Sequence, residues 1–119
     1  MHALVHVLSE KPLTMQDIHD IMAPYDEGQL FSYDEDTDVF SEPAIYPQLR
    51  YDYYTCHKAP WYDKIEDCMV IIEPNGHAIS RQYWNGEKWI DQNKLFEAVC
   101  GLRKKYWKNC NLYELDIHW

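Results

Sequence analysis

The apolar positions along the chain fall into two rhythms, separated by one long stretch with neither. His2 to Leu8 (HALVHVL) is apolar and β-branched without alternation, the pattern of a strand buried on both faces. Glu10-Lys11-Pro12 ends it. Met15, Ile18, Ile21 and Met22 then recur at spacings of three and four, which predicts a short amphipathic helix over 14–23. Thr14 stands as its N-cap with Asp17 closing an approximate capping box, and Ala23-Pro24 stops it. Cys68 to Ile72 reads as a compact buried strand. Glu73-Pro74-Asn75-Gly76 is a turn with proline second and glycine where φ is positive. His77–Trp84 and Glu87–Ile90 flank Asn85-Gly86, the signature of a two-residue type I′ hairpin, so 68–90 predicts a three-stranded meander. Residues 92–108 predict a helix capped by Asp91 or Asn93. Its apolar stripe is Leu95, Val99, Leu102 and Tyr106, with Phe96 and Cys100 beside it, and lysines and an arginine crowd its C-terminal end. Leu112 to Trp119 alternates, placing Tyr113, Leu115, Ile117 and Trp119 inward on a last strand.

Residues 24–49 show no regular period and hold seven acids, three prolines and no base. Leu30, Phe31, Tyr33, Val39, Phe40, Ile45 and Tyr46 are too apolar for a disordered tract, so an ordered excursion is expected. A loose alternation permits a strand from about 49 to 56. The whole chain, 1–119, reads as one α+β domain. With the acidic insert (about 24–62) removed, the order is a ferredoxin-like β-α-β-β-(β)-α-β. That order implies an antiparallel sheet in which first and last strands pair, with two helices on one face.

Charge sharpens this picture. Residues 1–49 carry ten acids and one base, Lys11, whereas residues 50–119 carry ten of each, so the net −9 resides in the first two fifths of the chain. Such a surface repels phosphate backbones and steers basic proteins. Direct nucleic-acid binding is therefore not expected. Eighteen residues are aromatic, ten of them Tyr, a residue type that serves cores and interfaces alike. Four cysteines without a C-x-x-C pair suggest free thiols, and no stretch has the length of a signal peptide or membrane span, so a cytoplasmic protein is expected.

Candidate chemistry is sparse. Asp34-Glu35-Asp36-Thr37-Asp38 imitates the start of an EF-hand loop, but Val39 replaces the glycine and Ile45 the closing glutamate. Cys56-His57 has no second pair at metal-ligand spacing, and strand neighbours point to opposite faces. The four glycines form no phosphate-cradling loop, and no serine has a nucleophile-elbow context. No catalytic residue, metal ligand or cofactor is expected. The candidate partner-binding set is Asp26, Glu27, Asp34, Glu35, Asp36, Asp38 and Glu42, with the aromatics Tyr53, Tyr54, Trp61 and Tyr62. Arg50 or Arg81 among such aromatics would alternatively suit a small-molecule sponge for a nucleotide signal, and a metal-dependent nuclease using Asp36 is the third reading.

The opening HALVHVLSEKPLTMQDIHDIMAPYDEG and the segment RQYWNGEKWI, followed by a basic helix, resemble small proteins encoded by bacteriophages and prophages. The resemblance covers about half the chain and brings no catalytic residues with it. It implies an anti-defence, anti-CRISPR-like inhibitor acting in the host cytoplasm. Such a protein would present acids, as a DNA mimic does, to a basic, nucleic-acid-handling host protein.

Overall fold

Strand β1 (His2–Ser9) runs through the middle of a five-stranded sheet, and its last five residues are buried, as its unbroken apolar run requires. The computed structural model describes residues 1–27, 32–41 and 46–119. The remaining elements, in chain order, begin with α1 (Met15–Met22) and a 3-10 turn, Ala23–Tyr25. Four short strands follow: β2 (Ser32–Asp34), β3 (Val39–Ser41), β4 (Tyr46–Pro47) and the longer β5 (Tyr53–Ala59). Then come β6 (Val70–Ile72), β7 (Ala78–Ser80), β8 (Gln82–Trp84) and β9 (Trp89–Asp91). The chain closes with α2 (Asn93–Trp107) and β10 (Asn111–His118).

The main sheet has the order β5-β10-β1-β6-β7. First and last strands pair antiparallel along their whole length, from His2↔His118 to Ser9↔Asn111, as expected. Two features of the ferredoxin-like expectation fail. β6 lies parallel beside β1, through Val5↔Val70 and Val7↔Ile72, so the sheet is mixed although mostly antiparallel. The helices also cover opposite faces. Val5, Val7, Val70, Ile72, Tyr113, Leu115 and Ile117 pack with Ile18 and Met22 of α1. Leu8, Ile71, Ile79 and Leu112 pack with Phe96, Cys100 and Trp107 of α2. The reason lies in β1 itself: a strand apolar on both sides needs a layer on each.

Local signals are met where they rest on a few neighbouring residues. Thr14 Oγ1 accepts from Asp17 N at 3.1 Å and Asp17 Oδ2 accepts from Thr14 N at 2.9 Å, a complete capping box. Gly76, at φ 86°, donates to Glu73 O and lets the β6–β7 turn close. The expected strand 77–84 breaks at Arg81. There the backbone leaves the main sheet, and β8 joins β4 and β9 in a separate three-stranded sheet. Arg81 reaches inward instead, donating through Nε to Cys68 O at 2.8 Å and through Nη2 to Glu66 O at 2.7 Å, with its guanidinium 4.4 Å from the Phe96 ring centre.

The two-residue Asn-Gly turn is also corrected. Trp84 pairs with Trp89, leaving a four-residue loop, and the rings meet edge-on at 5.7 Å directly across the strands. Asn85 Oδ1 caps that loop, accepting from Glu87 N and Lys88 N at 2.9 Å each, and Gly86 supplies the positive φ of 99°. On α2 the expected stripe points outward: Leu95, Leu102 and Tyr106 are 56%, 85% and 85% exposed, while Phe96, Cys100 and Trp107 face the core. The strand expected near 49–56 forms later, as β5.

Candidate functional site

The acidic insert builds a hairpin. β2 and β3 pair through Tyr33↔Phe40 and Asp34↔Val39, and residues 35–38 form the loop between them. Asp34 Oδ1 accepts from Asp36 N at 2.9 Å, and Asp38 takes the left-handed φ of 55° that an aspartate tolerates. Asp34, Glu35, Asp36 and Asp38 are all exposed around this loop, and Val39 is exposed beside them. The turn is thus built from the aspartates that imitated an EF-hand start.

The other expected partner-binding residues do not join it. Asp26 bridges to Tyr51, and Glu27 donates its N–H to Tyr51 O at 2.9 Å and holds Arg50 Nε at 3.7 Å, so both pin the insert to the domain. Glu42 lies outside the described residues. Tyr54 packs edge-on against Tyr51 at 5.1 Å on the α1 side of the sheet. Trp61 and Tyr62 pack against the α2-side core. Tyr53 alone is open, stacked on His118 with ring centres 4.5 Å apart.

Tyr53 belongs to a feature that was not foreseen. Alternation along β1, β5 and β10 sets His2, His6, Tyr53, His57, Glu114, Asp116 and His118 on one face, on the half of the sheet away from the α2 core. Each histidine there has a carboxylate. His2 Nδ1 is 3.0 Å from Asp116, His118 Nδ1 is 2.7 Å from Asp52, and Glu114 bridges His6 Nε2 at 3.2 Å and His57 Nε2 at 3.5 Å. The hydrogen bond from His118 holds the Asp52 carboxyl below its ordinary value. His6 is fully buried; its Nδ1 donates to the Ile65 carbonyl, which fixes Nε2 toward Tyr62 OH at 2.9 Å and Glu114. The signal was in the sequence, as HALVHVL and LYELDIHW read two residues at a time.

This face is a network of mutually satisfied pairs. Among the described residues, no three His, Cys, Asp or Glu side chains are placed to hold a metal ion. The four cysteines are free, and burial raises the pKa of every one, Cys100 to about 11, which keeps them protonated thiols at neutral pH. Cys56 and His57 point to opposite faces of β5. Of the two arginines considered for a nucleotide, Arg81 is engaged as described above. Arg50 borders a cavity of about 210 Å³ with Gln48, Trp89 and Gln82.

Burial also pushes the phenols of Tyr51 and Tyr62 up to about 12, helped by Asp26 at Tyr51 and by Glu114 at Tyr62. Unfolded tyrosines ionise near 10. Below about pH 10 both states hold these protons; between about 10 and 12 the unfolded chain releases them first, so stability falls as pH rises through that window. Denaturant midpoints measured across it should decline for the native chain and decline less for Tyr62→Phe. A midpoint independent of pH there contradicts the burial of these hydroxyls.

Among the described residues no helix is long and apolar enough to cross a membrane. Comparison of the chain with protein-family models, curated proteins and solved structures finds no match.

Proposed function

We propose that this chain is a non-enzymatic binding protein that docks the acidic hairpin 32–41 on a basic, nucleic-acid-handling protein, as a phage-type inhibitor of host defence. The observation that carries the reading is the hairpin. Four carboxylates stand exposed around one ordered loop, and among the described residues β2 and β3 pair with each other alone. A turn that already fixes its acids loses less entropy on docking than a mobile acidic tail. The contact set centres on Asp34, Glu35, Asp36 and Asp38, because Asp26 and Glu27 lie away from that loop, where the backbone bridges to Tyr51.

The test is capture from nuclease-treated host lysate, followed by affinity measurement with the purified partner. The comparison is the native chain against the fourfold variant D34K/E35K/D36K/D38K. Taking each exposed contact at about 0.7 kcal/mol, four together weaken binding by about 100-fold. The affinity should also fall steeply with salt. An unchanged Kd for the fourfold variant sinks the proposal.

A further inference from the structure

The helix α2 carries an apolar stripe of which its own domain covers only Val99, in part. Leu95, Val99, Leu102 and Tyr106 lie at i, i+4, i+7 and i+11, one face of a helix. Leu95 is 56% exposed, and Leu102 and Tyr106 are each 85% exposed. Contiguous apolar patches on a protein surface mark interaction sites, whereas apolar residues exposed singly need no explanation. The stripe borders a groove of about 230 Å³ between α2 and the edge strand β7, whose walls include Leu95, Val99, His77 and Tyr83.

The charge around the stripe says what would cover it. Residues 93–108 hold five cations (Lys94, Arg103, Lys104, Lys105, Lys108) against one acid, Glu97, and two of the five, Arg103 and Lys104, are paired with Glu73 and Glu66. Lys94, Lys105 and Lys108 are exposed, and Arg103 edges the groove. The occupant must therefore be short, acidic and partly apolar. The chain itself displays such a segment in the hairpin 32–41, with four exposed acids and the 50% exposed Val39. Both surfaces are exposed in one copy, so a chain's hairpin does not cover its own helix. From Leu95 to Tyr106 the stripe runs about 16 Å at 1.5 Å per residue. Three-residue strands with a four-residue loop match that length to within a few ångströms.

We infer that the chain self-associates, the acidic hairpin of one copy seating on the basic, apolar face of α2 in a second copy. One such contact is small beside the ~1,200 Å² of a stable interface, so the favoured form is a reciprocal pair in which two hairpins are exchanged about a twofold axis. The inference shares the hairpin with the function proposed above. Self-association then holds the hairpin in reserve until a partner with a stronger basic surface competes for it.

Analytical ultracentrifugation of the full chain tests this. At low salt the native chain should sediment as a concentration-dependent larger species, returning to monomer at about 1 M salt, where the screening length is about 3 Å. The helix-reversed variant K94E/K105E/K108E and the hairpin-reversed D34K/E35K/D36K/D38K should each be monomeric alone, yet associate when mixed. All substituted positions are exposed, and circular dichroism confirms that each variant is folded. L102E/Y106E should abolish self-association and retain capture of a foreign partner, which separates the two claims. A native chain that stays monomeric at low salt overturns the inference. So does self-association that survives both reversals, or reversed variants that fail to pair when mixed.

Discussion

Trp107→Ala is expected to remove about 3–5 kcal/mol of unfolding free energy, whereas Leu102→Ala, five residues earlier on the same helix, should change it by less than about 0.5 kcal/mol. Trp107 is 1% exposed and packs with Phe96, Cys100, Leu8 and Leu112, so truncation leaves a large void where α2 meets the sheet. Leu102 is 85% exposed and has little folded-state contact to lose. Total stability for a domain of this size is about 5–15 kcal/mol, so the Trp107 variant stands near the limit of folding. Urea denaturation of both variants measures the contrast. Equal losses would mean that α2 is rotated, with the Leu95–Tyr106 stripe facing the sheet.

Arg103→Ala is expected to cost about 3 kcal/mol, the lower end for breaking a buried ion pair, because the arginine is itself half exposed. Glu73 is 6% exposed at the end of β6, and its carboxylate accepts from Arg103 on α2. Removing the cation strands a charge under the helix. Changing both, Arg103→Ala with Glu73→Gln, removes the stranded charge and should recover most of the loss. A double-mutant cycle in denaturant reads this directly. Additive losses would show that the pair does not tie α2 to the β6–β7 turn.

Local chemistry in this sequence was readable; long-range choices were not. Thr14 with Asp17, Pro74 with Gly76, and the alternation through Tyr113, Leu115 and Ile117 each specify structure through residues close in the chain, and each was met. The two-sided burial of β1 was also legible. Carried through, it already required a helix on each face and contradicted the one-faced arrangement. The α2 stripe was misread because two apolar stripes overlap on that helix. Leu95-Val99-Leu102-Tyr106 and Phe96-Val99-Cys100-Trp107 both have helical spacing, and only tertiary packing chooses between them. The break at Arg81 depends on carbonyls of Glu66 and Cys68, thirteen or more residues away. The histidine–carboxylate face needed the register of β1 on β10, which brings residues more than a hundred positions apart into contact.

The expected partner-binding residues do not stand together in the fold. Four acids gather on one loop, while Asp26 and Glu27 sit where the backbone bridges to Tyr51, and Tyr54, Trp61 and Tyr62 pack against the domain's own core. Composition cannot separate an acid that caps or pins from one that faces solvent. The backbone hydrogen bonds of the insert make that distinction.

The most direct test of the binding claim is hydrogen–deuterium exchange on the monomeric variant L102E/Y106E, alone and with its captured partner. Exchange is expected to slow on binding across residues 32–41, with β1 and β10 unchanged. Protection confined to other elements, with 32–41 exchanging as fast as in the free chain, would contradict it.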